Sequence, residues 1–158
     1  MKLLLGLAFL VLVQSKCPPP WRSTSVHYLT IQCYRIFHVS LNWTQAFDLC
    51  AQHGAHLASI SSANEYDFLK RVASSAILDD FVWTGGFKRL NSSLAWTDGS
   101  EEHVDQGAWL QASGIDLVEN KLAVSCIKIG RSGMKSEFCD VRLPMLCQKE
   151  YRFFGIRD

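Results

Sequence analysis

The chain has 158 residues, with 16 Lys and Arg against 15 Asp and Glu, a formal net charge of +1, and 48% hydrophobic residues. A near-neutral chain with no basic block or stripe is a poor match to nucleic acid. Its six cysteines include no CxxC pair, so they point to three disulfides rather than to a zinc site or a catalytic thiol.

The chain opens with Lys2 and the apolar run Leu3–Val13. Val13 and Ser15 put small residues at −3 and −1 of a cleavage site, so residues 1–15 read as a secretory signal removed after Ser15. The run is too short to span a bilayer, and no later segment is long and apolar enough to anchor the chain. A buried N-terminal helix is the alternative for the same residues. Residues 16–149 then suit one domain with one sizeable core, followed by a tail over 150–158.

Cys17-Pro18-Pro19-Pro20-Trp21 makes a stiff extended opening, because each proline fixes its φ. The rough alternation of Val26, Tyr28, Ile31, Cys33, Tyr34 and Ile36 predicts a β-hairpin ending near Val39, with Trp21 as its cover. Residues 42–53 read as an amphipathic helix. Asn42 can cap it, Gln45 can complete a capping box, and Gly54 can end it. Trp43, Ala46, Phe47 and Cys50 follow i, i+3, i+4, i+7 and should share the inward face. Leu57, Ala58 and Ile60 then enter a core as a short strand. A second helix starts with the capping box Ser62-Ala63-Asn64-Glu65 and runs to about Ser75, with Phe68, Leu69, Val72 and Ala76 as its apolar face.

Phe81–Thr84 is a short strand stopped by Gly85-Gly86, and Leu94–Thr97 another stopped by Asp98-Gly99. Residues 100–125 have little periodicity and form a long irregular loop, of the kind that is usually functional or disordered. A strand follows over 125–130, then a polar turn over 131–137, with Phe138-Cys139 and Leu143–Cys147 as the last two strands. In the tail, Tyr151, Phe153 and Phe154 either pack on the domain or fray with the terminus. Two helices followed by short strands around a long loop define an α+β class. Asn42-Trp43-Thr44 and Asn91-Ser92-Ser93 are N-glycosylation acceptors. Asn91 lies in a polar loop. For Asn42 the cap and the glycan are both open.

An ordered set of residues carries a family resemblance: Cys33-Tyr34, Trp43 with Ala46 and Cys50, Gly54 to Ile60, Glu65, Phe68-Leu69, Trp83-Thr84-Gly85, Trp96 to Ser100, Cys126, Cys139 and Cys147. From about Cys17 to Gln148 the chain resembles a C-type lectin-like domain. The resemblance implies two helices packed on short antiparallel strands with a long irregular loop. It also implies the bridges Cys17–Cys33, Cys50–Cys147 and Cys126–Cys139, out of 15 pairings that six cysteines allow. The second would close so long a loop that the chain-entropy estimate is about 4 to 5 kcal/mol.

Members of this family that bind sugar do so through a calcium ion, which needs six to eight oxygen ligands. The resemblance places the family's ligand positions on Ser113-Gly114-Ile115, on Val124 and on Met134-Lys135-Ser136. Isoleucine and valine have no side-chain oxygen, and lysine has the wrong charge. The standard calcium-and-sugar site is therefore expected to be absent, with no metal assigned. Carboxylates are still plentiful: Asp98, Glu101, Glu102, Asp105, Asp116 and Glu119, with Asn120 beside them. A displaced calcium site using Asp116, Glu119 and Asn120 is one reading of this loop, and an acidic solvated loop is the other. Trp43, Trp83 and Trp96 sit at core positions of the family. Trp109 is the tryptophan of the long loop, where it either packs or contacts a ligand.

Catalytic residues find no constellation. His53 and His56 are three apart rather than four, no serine sits in a Gly-x-Ser-x-Gly elbow, and Glu101 and Glu102 are sequence neighbours that point apart. The sequence thus reads as a secreted, extracellular recognition protein for a glycan or protein ligand, with no catalytic residues, no membrane insertion and no fixed oligomeric state. A calcium-dependent lectin with displaced ligands and a structural or matrix protein are the alternatives.

Overall fold

The computed structural model describes residues 17–27, 30–76, 81–89, 94–99 and 124–152. The expected signal segment, the loop residues 100–123, Asn91 and the tail beyond residue 152 lie outside the described residues.

Strands β1 (Arg22–His27) and β2 (Thr30–Leu41) form the predicted antiparallel hairpin. Asn42 then starts helix α1 (Trp43–Gln52). Its Oδ1 accepts the Gln45 N–H at 2.9 Å, and Gln45 Oε1 accepts the Asn42 N–H at 3.3 Å, so the capping box is complete. Gly54 follows the helix at φ 62°, a conformation that costs glycine little. Ala46 and Cys50 are buried, but Phe47 is 38% exposed. The inward stripe is narrower than the sequence suggests, and Phe47 stacks instead on Trp43, with ring centroids 6.2 Å apart.

The short strand β3 (His56–Leu57) leads to helix α2 (Ala63–Ala76). Ser62 Oγ accepts the Glu65 N–H, so half of the predicted capping box forms. The Glu65 carboxylate does not fold back onto Ser62. It accepts from the Ser61 N–H and hydroxyl at 2.8 Å each, and from the Tyr34 hydroxyl. Leu69 and Ala73 are buried on the inner face, as is Tyr66.

Strand β4 (Phe81–Arg89) runs straight through Gly85-Gly86 rather than stopping there. The glycines serve close approach. A Cβ on Gly85 would lie 2.5 Å from Thr97 Oγ1 and 2.7 Å from Leu57 O, and one on Gly86 would lie 2.9 Å from Ile127. Strands β5 (Leu94–Trp96), β6 (Val124–Gly130), β7 (Gly133–Glu137) and β8 (Leu143–Arg152) complete the sheet. Much of the expected turn over 131–137 is therefore strand, paired residue for residue with β6 from Cys126↔Glu137 to Gly130↔Gly133. Phe138 and Cys139 lie outside the strands. Tyr151 and Arg152 extend β8, opposite Ile31 and Thr30.

The sheet order is β1-β2-β8-β4-β6-β7, with β3 on β8 and β5 on β4. Pairing is antiparallel except where Trp83 of β4 meets Met145 of β8 in parallel. Alternation along the strands builds two cores. Val82, Ile127, Ile129 and Leu146 face α2, with Tyr34, Leu69 and Trp96. Trp83, Cys126, Met145 and Cys147 face α1, with Trp21, Ile31, Ala46 and Cys50. The disulfides are Cys17–Cys33, Cys50–Cys147 and Cys126–Cys139, all on the α1 side of the sheet.

Two substitutions test these assignments. Asn42→Ala should cost about 1 kcal/mol in denaturant unfolding, whereas Asn42→Asp, which keeps a capping oxygen, should cost little. Gly85→Ala should cost about 1–3 kcal/mol through overpacking, and an unchanged midpoint would contradict the close approach.

Candidate functional site

Two regions of the described fold bear on ligand binding. The first is the outer face of β6 and β7, where the family resemblance places metal ligands. Val124 opens β6 with 45% of its surface exposed and no side-chain donor atom. Met134 turns inward and is buried. Lys135 stands directly across from Lys128. Both ammonium groups lie near the ring of Phe81, with Nζ 5.3 Å and 4.4 Å from its centroid. Like charges face to face on adjacent strands repel. Here Glu137 relieves them by accepting from Lys128 Nζ at 2.7 Å. That hydrogen bond, against a smaller opposing effect of burial, holds the Glu137 carboxyl below its ordinary pKa. Ser136 Oγ is buried with no hydrogen-bond partner among the described residues. A dication approaching this face would meet a lysine pair.

The second region is a cavity of about 710 Å³ between the start of α2 and strands β2 and β8. Its floor is a chain of amides. Gln148, on β8 and 7% exposed, accepts the Ser59 N–H at 2.9 Å and donates from Nε2 to Gln32 Oε1 at 3.0 Å. Gln32 in turn donates to Glu150 Oε2 at 3.1 Å. Ser59 lines the cavity, is 4% exposed, and has a hydroxyl with no partner among the described residues. The wall on the α2 side consists of Ser61, Ser62, Asn64, Glu65, Phe68 and Arg71, and Asp98 completes it. Burial raises the Tyr34 pKa, and the neighbouring Glu65 charge raises it further, so the phenol keeps its proton and donates to Glu65. Glu65 is thereby fixed in place as part of the wall, with both oxygens engaged.

The sequence-predicted ligand residues Trp109, Asp116, Glu119 and Asn120 lie outside the described residues, as do Glu101, Glu102 and Asp105. Asp98 is described and lines the cavity at its exposed rim. Among the described residues, no group of three or more His, Cys, Asp or Glu could hold a metal ion. Trp83 and Trp96 are buried, and Trp43 is partly so, donating from Nε1 to Thr84 O at 2.8 Å. His56 Nδ1 lies 2.8 Å from Leu57 O, and His53 packs on Phe37. Sequence reasoning missed Gln32, Ser59 and Gln148 as a group. The available signal was polar residues set in apolar runs, Ile31-Gln32-Cys33 and Met145-Leu146-Cys147-Gln148.

A profile of the lectin C-type domain matches residues 39–149, and the chain belongs to this family. Over 88 residues it is 39% identical to snaclec bothrojaracin subunit beta of Bothrops jararaca, covering 54% of this chain and 55% of that one. The chain thus spans about half the length of that relative. Snaclec A6 of Macrovipera lebetinus is 30% identical over 146 residues, covering 87% of this chain and 81% of its own. Among solved structures, CEL-IV matches with a TM-score of 0.68 and 25% identity over 90% of this chain and 99% of that one.

The Lys128–Glu137 pair sets a pH dependence. A carboxyl with a lowered folded pKa contributes stability above its unfolded value, near 4.5, and loses it as pH falls through the folded value. Glu137→Gln should therefore lower the melting temperature more at neutral pH than at an acid pH below the unfolded value, the difference shrinking as pH falls. An equal loss at both pH values would assign the effect to packing rather than charge.

Proposed function

We propose that this chain is a secreted recognition protein of the cell exterior that binds a glycan or protein ligand without calcium at the family's standard position. The carrying observation is the lysine pair on β6 and β7. Lys135 stands where the family's ligand triplet would fall, and Lys128 stands opposite it. Met134 is spent on the core. Calcium sites gather several oxygens and negative charge, and among the described residues this face offers one carboxylate, Glu137, already held by Lys128.

Secretion is supported by the apolar run Leu3–Val13 and by three disulfides, which persist in oxidising compartments. No helix among the described residues is long and apolar enough to cross a membrane. Glycosylation at Asn42 is compatible with its structural role. The cap uses Oδ1, while Nδ2, the atom that carries a glycan, enters no hydrogen bond among the described residues. Asn91 is the second acceptor in this reading. The reading includes no catalysis. Trp109, Asp116, Glu119 and Asn120 remain proposed ligand contacts, with calcium there as the alternative.

Arrays of immobilised glycans and of extracellular proteins, probed with and without chelator, test the reading. Binding that survives the chelator is expected. Binding that appears only with calcium would favour the displaced-ligand lectin, and no binding on either array would favour a matrix role.

A further inference from the structure

We infer that a second, shallower recess, between α2 and the turn joining β6 to β7, docks an acidic peptide segment of a partner protein. The inference rests on the recognition reading above and names the partner's chemistry and where it sits. The recess measures about 520 Å³ and is lined by Asp67, Lys70, Arg71, Ser74, Ser75 and Arg131. Lys70 and Arg71 come from α2 and Arg131 from the β6–β7 turn, so the tertiary fold, not one run of sequence, gathers the three cations. Asp67, Arg71, Ser75 and Arg131 are exposed, which leaves the recess open to a large partner rather than closed around a small one.

The cations are not paired off within the fold. Among the described residues none of the three enters an ion pair. Asp67 stands three residues before Lys70 and four before Arg71, spacings at which opposite charges pair along a helix, and neither pair forms. Lys70 Nζ lies instead 5.9 Å from the centre of the Tyr66 ring. Three cations against one carboxylate leave a local surplus of positive charge, which attracts and steers an acidic partner. The turn that carries Arg131 is held against the helix. The Met134 backbone hydrogen-bonds the Tyr66 hydroxyl, and Gly133, at φ 101°, comes so close that a Cβ there would lie 2.7 Å from that oxygen. The backbone spacing across the recess is thus set before a partner arrives, which limits the ordering lost on binding.

A peptide fits this lining better than a bare anion does. An arginine takes a carboxylate through two parallel N–H bonds, so Arg71 and Arg131 suit two acidic side chains of one segment. Ser74 and Ser75 donate their hydroxyl hydrogens to Lys70 O at 2.6 Å and to Val72 O at 3.0 Å. With those hydrogens committed, the two oxygens serve as acceptors, which suits a peptide N–H and not an anion. No aromatic side chain lines the recess, so a sugar ring or a base has no stacking platform there.

The test is titration of the whole chain with a short oligoglutamate peptide, followed by amide chemical shifts, with heparin and phosphatidylserine vesicles run in parallel. Oligoglutamate should bind saturably, bind more weakly as salt is raised, and shift the amides of residues 67–75 and 131–133. The Arg71→Gln/Arg131→Gln variant alters two exposed side chains. It should keep its melting temperature and bind about ten-fold more weakly. Asp67→Asn removes the opposing carboxylate and should bind more tightly, a gain that a merely structural role would not give. No shifts at these residues, or equal affinity in the double variant, would overturn the inference. Heparin or vesicles that bind through these residues where oligoglutamate does not would overturn it in favour of another polyanion. With oligoglutamate negative, an extracellular protein bound on the array in chelator would keep the recognition reading, and binding on neither array would remove both. Should the double variant fold poorly, the wild-type shift map and Asp67→Asn decide.

Discussion

Strand β8 is the element on which the rest of the structure depends, and the Cys50–Cys147 bridge is what fixes it. The bridge joins α1 to the penultimate stretch of the chain across 97 residues. Its entropic effect on the unfolded state is correspondingly large. In the fold, β8 pairs with β2 and β3 and meets β4. Its side chains alternate between Met145 and Cys147 on one face and Leu146 on the other. A shift of one residue would exchange the two cores and move the cysteine away from α1. The covalent bond and the hydrophobic pattern therefore enforce the same register.

The same strand links scaffold to site. One residue past the bridge, Gln148 leaves the apolar pattern and becomes the floor of the cavity. Its neighbours come from distant parts of the chain, Ser59 and Gln32, and the segment that carries Ser59 is held by backbone bonds. Ala58 N–H donates to Leu146 O, and Gly85 N–H donates to Ala58 O. The bare backbone of Gly85 permits that approach. The disulfides cluster on the α1 side, while the cavity opens beside α2. Covalent rigidity on one face thus supports a polar recess at the margin of the other.

Much of the fold was legible in the sequence, for local reasons. The Asn42 and Gln45 capping box, the Gly54 stop and the α2 start each depend on a few adjacent residues. The family pattern supplied the cysteine pairs. Failures occurred where one local signal has two physical uses. Gly85-Gly86 reads as a stop, yet glycine equally permits close backbone approach. Residues 131–137 read as a polar turn, yet Gly133–Glu137 is an edge strand beside β6, which needs only one apolar face. The cavity was the least legible part. Its floor depends on bonds between residues 89 and 116 positions apart, which no window of sequence displays. What the sequence did convey about the site was substitution at family positions, Val124 and Met134-Lys135-Ser136. The lysine pair then emerged from the β6–β7 register, which a sequence alone does not set.

The central claim is that this lectin-type scaffold has replaced the metal-binding face on β6 and β7 with a cationic one. Amide chemical shifts of Val124 and of Met134 to Ser136, followed while calcium is added to the folded protein, test it most directly. The account predicts that these amides stay where they are at millimolar calcium. Saturable shifts centred on them would contradict it.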